Sequence, residues 1–179
     1  MMLKNIHQEH SQMARLLRLL RDKLRIIEKG EREVEYPLIK VVVEYLQTRA
    51  DKYHHPKEDI LYHHLVAHYP EQAKLVDDLE KDHQALAALT EQFADTLTMI
   101  LMDAVIPLDM LAQSLTEFVD RQQAHLEFEE REVLPLIQKL FTDQDWQAVN
   151  SQWHDEQPDP LFGERVEKRY EVLAQRLAM

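Results

Sequence analysis

The amino-acid sequence predicts an all-α protein: an up-down-up-down four-helix bundle with an additional C-terminal helical segment. Three observations lead there. Apolar residues recur at alternating spacings of four and three along four long stretches, the period of a bundle seam. The 179 residues include only two glycines, and no Val/Ile/Thr run is bounded by turn signals, so little of the chain suits a sheet. Gly30, Pro37, Pro70 and Pro107 fall where the periodic stretches stop and start.

The first helix is expected over 3–29, with Ile6, His10, Met13, Leu17, Leu20, Leu24 and Ile27 on its inner stripe and Gly30 ending it. Tyr36-Pro37 opens the second, since proline suits a first turn; it runs to 69, stops at Pro70, and carries His54, Glu58, Leu61 and Leu65 on one face. The third, over 71–102, presents Val76, Leu79, His83, Leu86, Phe93, Leu97 and Ile100. Pro107 begins the fourth, whose stripe is Leu108, Leu111, Leu115, Phe118, Gln122, His125, Glu129, Val133, Leu136 and Leu140. Residues 1–142 thus form the bundle domain. The extension 143–179 is expected to hold a short helix capped by Asp143 and bearing Trp146 and Trp153, a loop over 154–160, and an amphipathic helix over 161–177. That last helix would pack on the bundle or on a partner, a second copy or another protein.

The totals exclude several functions. A net charge of -12 argues against nucleic acid or an anionic membrane as partner. Without cysteine there is no disulfide, thiolate metal site or thiol nucleophile. No apolar segment reaches transmembrane length and the start MMLKNIHQEH has no signal-peptide core, so the expected compartment is the cytoplasm.

The informative feature is polar. His10, His54, Glu58, His83, His125 and Glu129 occupy positions of the four stripes where leucine would be ordinary. Residues four apart share a helix face, so His54/Glu58 and His125/Glu129 can each aim one imidazole and one carboxylate at the same point. These pairs repeat 71 residues apart, and His10 and His83 repeat 73 apart, so the first two helices look like a copy of the last two. A bare carboxylate is costly to bury unless it is paired or binds a metal. Nitrogen and oxygen ligands without sulfur favour iron, manganese or zinc, and inward ligands from all four helices match the dinuclear bundle design. If both glutamates bridge, the six residues fill about eight of roughly twelve positions on two octahedral ions, leaving room for a bridging group and an exogenous ligand.

Glu9-His10, the run HHPKED from His54 to Asp59, Asp82-His83, and HLEFEE from His125 to Glu130 together resemble the hemerythrin-like family of HHE cation-binding domains, over about residues 3–141. The resemblance implies two iron ions in a non-haem, oxo- or hydroxo-bridged di-iron centre, with His10, His54, Glu58, His83, His125 and Glu129 as ligands; the same set would accept manganese or zinc. Oxygen-carrying hemerythrins have a second histidine four residues after the third-helix ligand, where this chain has Ala87. The remaining set is similar to family members linked with iron sensing, nitric oxide response or iron–sulfur repair. The expected function is therefore binding or sensing of dioxygen, nitric oxide, peroxide or iron under stress. The alternatives are a di-iron enzyme reducing those small molecules, or an iron donor or store.

Some positions stay open on sequence alone. His55/Asp59 has the same spacing as His54/Glu58, and Pro56 can shift the register there; His54/Glu58 is preferred because it mirrors His125/Glu129, and His55 could be an extra ligand. His7 and Glu80 each lie three residues before a ligand histidine and could join the site. Glu9 and Asp82 read first as solvated acids, with orientation of an imidazole as the alternative; His63, His64 and His68 read as surface residues and Met99, Met102 and Met110 as core filling; Tyr45, Tyr53 and Tyr62 read mainly as packing residues, one of which could donate a hydrogen bond near the metals.

Overall fold

Helix α1 (Met2–Lys29) buries Ile6, His10, Met13, Leu17, Leu20, Leu24 and Ile27 on one side and ends where Gly30 takes a φ of 60°, a left-handed conformation that glycine adopts without strain. The computed structural model describes residues 2–30, 33–153 and 158–178, and among them every regular element is helical. The second long helix opens with Pro37 in the first turn of α2 (Tyr36–Arg49), passes through a widened π turn over Ala50–His54, and continues as α3 (His55–His68). A short turn over Pro70–Gln72 leads into α4 (Ala73–Leu101), which is unbroken. The fourth is again interrupted: α5 (Leu108–Phe128), a π turn over Glu129–Val133, then α6 (Leu134–Leu140). Helix α1 packs mainly on α5, and α2 on α4.

The two π turns have a common cause. Each ends two residues before a proline, Pro56 and Pro135. A proline inside a helix has no N–H to donate and crowds the carbonyl four residues back. Widening the preceding turn relieves this: the His55 N–H bonds to the Ala50 carbonyl and the Leu134 N–H to that of Glu129, five residues back in each case. The added residue changes which side chains face inward.

Two apolar clusters stack along the bundle. One joins Leu16, Leu20, Ile39, Val42, Phe93, Leu97, Leu115 and Phe118. The other joins Met2, Ile6, Leu61, Tyr62, Leu79, Val133 and Ile137. The inward histidines and glutamates form the layer between them.

The C-terminal region departs from expectation. Helix α7 (Asp143–Gln152) is capped by Thr142, not Asp143, because Asp145 three residues on completes a reciprocal capping box. Its carboxylate also accepts from His64 Nε2 (2.8 Å) and the Tyr69 hydroxyl (3.0 Å), so α7 covers His64, which is buried rather than at the surface; His63 and His68 are exposed. The expected helix over 161–177 shortens to a turn at Lys168–Tyr170 and α8 (Glu171–Leu177). Asp159 accounts for this: its Oδ1 accepts from the N–H groups of Leu161 and Phe162 at 2.8 Å each, offering the backbone a turn instead of a helix. Leu161, Tyr170 and Leu173 insert into the first cluster, so this segment covers its own bundle. The expected loop over 154–160 lies outside the described residues from 154 to 157 and is without regular structure over 158 and 159. Met99, Met102 and Met110 are exposed, not core: they lie in or beside the α4–α5 turn on the solvent side, while their neighbours Ile100 and Leu111 face the first cluster.

Asp145→Ala leaves the Thr142 cap but removes the reciprocal acceptor for the Thr142 N–H and the buried His64 partner together. It is expected to cost about 2 kcal/mol, seen as a lower urea midpoint with metal content unchanged. An unchanged midpoint would contradict the role given to Asp145.

Candidate metal centre

The six residues singled out by spacing meet in one place. His10 comes from the middle of α1, His54 from the end of the first π turn, Glu58 from the first turns of α3, His83 from α4, His125 from the end of α5, and Glu129 from the start of the second π turn. All six are buried, and Glu58 and Glu129 have no exposed surface. The Nε2 atoms point at the two carboxylates. His10 Nε2 lies 3.1 Å from Glu58 Oε1 and 3.4 Å from Glu129 Oε2. His54 Nε2 lies 3.3 Å from Glu58 Oε1, and His125 Nε2 lies 3.2 Å from Glu129 Oε2. His83 Nε2 lies 3.6 Å from Glu58 Oε2 and 3.4 Å from Glu129 Oε1. Each carboxylate therefore turns its two oxygens toward different imidazoles, the disposition a bridging ligand needs.

Behind each imidazole stands a second carboxylate. His54 Nδ1 donates to Glu9 (2.5 Å), His10 Nδ1 to Glu130 (2.7 Å) and His125 Nδ1 to Asp82 (2.8 Å), while His83 Nδ1 faces Asp59 Oδ1 at 3.4 Å. The internal repeat is visible here. Glu9 and Asp82 precede one histidine and serve the one on the next helix; Asp59 and Glu130 follow a glutamate and serve the histidine across from it. Glu9 and Asp82 are thus not solvated acids. Carboxylates on Nδ1 fix the ring and its tautomer and leave Nε2 for a metal.

The electrostatics follow. Burial disfavours charge on His10, but hydrogen bonds to Glu130 and Glu58 outweigh it and raise the imidazole to about 10. His83 is likewise raised to about 10 and His125 to about 9, and His54 is raised, by carboxylates that outweigh burial. Burial alone would lift Glu58, yet the His54 and His10 imidazoles hold it well below the usual carboxylate range. Protons on the imidazoles thus balance the buried carboxylates where cations would otherwise do so.

A metal pair fits this donor set. His54 Nε2, Glu58 Oε2, His125 Nε2 and Glu129 Oε2 are sealed from solvent and make no hydrogen bond, an arrangement that buried polar atoms avoid unless something else binds them. Neighbouring ligands of an octahedral ion with bonds of about 2.1 Å lie about 3 Å apart, close to the nitrogen–oxygen separations here. Within this layer two groups of described residues have potential ligand atoms within 4.8 Å of one another: His10, His54 and Glu58, and His55, Glu58, His83 and His125. Glu58 belongs to both.

Further residues complete the site. Tyr62, one of three tyrosines read mainly as packing residues, donates its hydroxyl to Glu129 Oε1 at 2.5 Å. His55 is buried inside the layer beside His54, and Asp51 lies next to it, because the π turn brings consecutive residues inward. Burial, followed by the His83 charge, pushes His55 down to about 3. His7 is exposed and bonded to Glu130 at the surface, and Glu80 pairs with His63 at 3.0 Å, so neither reaches the centre. Asp51, Glu130 and Tyr62 had no sequence signal by helix stripe. A repeat of acids beside ligands, at Glu9, Asp59, Asp82 and Glu130, was present.

One approach leads in from the surface. A groove of about 460 Å³ between α1 and α5 is lined by His7, Ala14, Leu17, Leu126 and Glu130 and reaches the ring of His10, itself only 3 % exposed.

Residues 1–137 match the hemerythrin HHE cation binding domain family. No curated protein matches the chain.

Proposed function

The chain belongs to the hemerythrin HHE cation-binding family, and from that premise we propose that it is a non-haem di-iron protein that binds or senses a small ligand, namely dioxygen, nitric oxide or peroxide, in a stress response. The observation that carries this reading is Glu58, fully buried and shared between two groups of ligands, with Glu129 facing it across the same layer. His10, His54, His83 and His125 would hold the ions through Nε2, with Glu58 and Glu129 spanning them. Iron held this way supplies redox-active positions that a structural, four-coordinate zinc site lacks.

The protein's own groups set what such a site can take. Glu9, Glu130, Asp59 and Asp82 keep the rings in place, so little reorganisation accompanies binding. The apolar clusters above and below exclude water from the layer. The groove ends at the ring of His10, which is almost fully buried, so the approach favours a small ligand over a bulky one. Tyr62 orients Glu129 from behind.

The reading is tested by titrating anaerobically reduced, iron-loaded protein with dioxygen, nitric oxide and hydrogen peroxide while following its absorption. A saturable, stoichiometric spectral change with at least one of them is expected. No change with any would overturn the reading, and consumption over many turnovers would replace it with that of a reducing enzyme.

A further inference from the structure

The four histidines that face Glu58 and Glu129 share one design: a carboxylate stands at Nδ1 and Nε2 is left for the centre. His55 has the same design. Its Nδ1 lies 3.6 Å from Asp51 Oδ1, one helical turn earlier. Its ring stacks on His83 at 4.1 Å and 12° and meets His125 edge-on at 5.6 Å. It offers a ligand atom to the same group as Glu58, His83 and His125. Both oxygens of Asp51 are buried without a hydrogen bond, so nothing else in the fold accounts for a carboxylate there.

We propose that His55 is a further metal ligand, on the His83/His125 side of the centre, with Asp51 as the residue that positions its ring. This rests on the metal-pair reading above.

The repeat sharpens the inference by failing here. Seventy-one residues after Asp51 and His55 stand Gln122 and Leu126. Gln122 donates to Thr90 at 3.1 Å, and Leu126 lines the groove beside His10. The two halves of the centre are therefore unequal. One receives a third imidazole. The other has a hydrocarbon wall and the approach from solvent in its place, so the small ligand binds on the His10/His54 side.

The test is a cobalt(II) titration of the full chain followed by visible absorption, for wild type, His55→Ala, His55→Gln and Asp51→Asn, with helicity of each metal-free variant measured first. His55→Gln keeps most of the packing volume should alanine loosen the bundle. Wild type is expected to take two ions. The His55 variants are expected to bind one ion normally and the other at least tenfold more weakly, with more intense visible bands from the lower coordination number, and millimolar imidazole is expected to restore the wild-type spectrum of His55→Ala. Asp51→Asn should shift the same bands, with a loss of about tenfold. Two ions with wild-type affinity and spectrum in both His55 variants would overturn the proposal while leaving the metal pair standing. A wild-type protein that takes fewer than two ions would overturn the metal pair, and this inference with it.

Discussion

Glu58→Ala and Glu129→Ala are each expected to lose the metal pair, with affinity falling by more than the roughly 10–100-fold that loss of a supporting partner usually costs. Glu58 faces His10, His54 and His83, and Glu129 faces His10, His83 and His125, so among the described residues these two carboxylates are the anions between the Nε2 atoms. Without either one, two cations would sit in a dry layer with one bridging charge, and their mutual repulsion in a medium of low dielectric would go unscreened. Metal per chain, measured by elemental analysis after anaerobic loading and dialysis, checks this. Glu58→Gln and Glu129→Gln preserve shape and separate loss of charge from loss of packing. Glu80→Ala, on a half-buried residue paired with His63 away from the layer, is the control and should load normally. Normal loading in both glutamate variants would remove these residues from the ligand set.

Removing the metal from the wild-type chain is expected to give the second large effect. A ligand that binds only the folded state stabilises it by about 4 kcal/mol when present at a thousand times its Kd, and for a domain of this size each kcal/mol corresponds to about 2–4 °C. Loss of the pair should therefore lower the melting temperature by about 10 °C or more. The metal-free layer explains the direction. It keeps imidazolium and carboxylate together away from water, and such pairs recover only part of their desolvation cost. Calorimetry of chelated and reloaded protein checks this, and equal melting temperatures would contradict a buried site.

That these six residues share one buried layer was legible in the sequence, because a helix places residues four apart on one face, and His54/Glu58 and His125/Glu129 repeat that spacing in register with His10 and His83. What surrounds them was less legible. Glu9 holds His54 and Asp82 holds His125 across helix boundaries, and a one-helix stripe does not show such contacts. His55 and Asp51 turn inward only because the chain makes a π turn ahead of Pro56, and a period of 3.6 hides that shift. The exposed methionines around the α4–α5 turn look apolar enough for the core, but they sit on the solvent side there while Leu97, Ile100 and Leu111 take the inward positions. His64 was hidden for the opposite reason: α7 returns over α3 and supplies Asp145 from 81 residues away.

The account stands most directly on the number and kind of ions in this layer. Protein without affinity-tag histidines, loaded anaerobically with ferrous iron, cleared of excess and then exposed to air, should contain two irons per chain and gain near-ultraviolet absorption characteristic of a coupled ferric pair. One zinc per chain, or no retained metal after iron loading, would contradict a di-iron centre between Glu58 and Glu129.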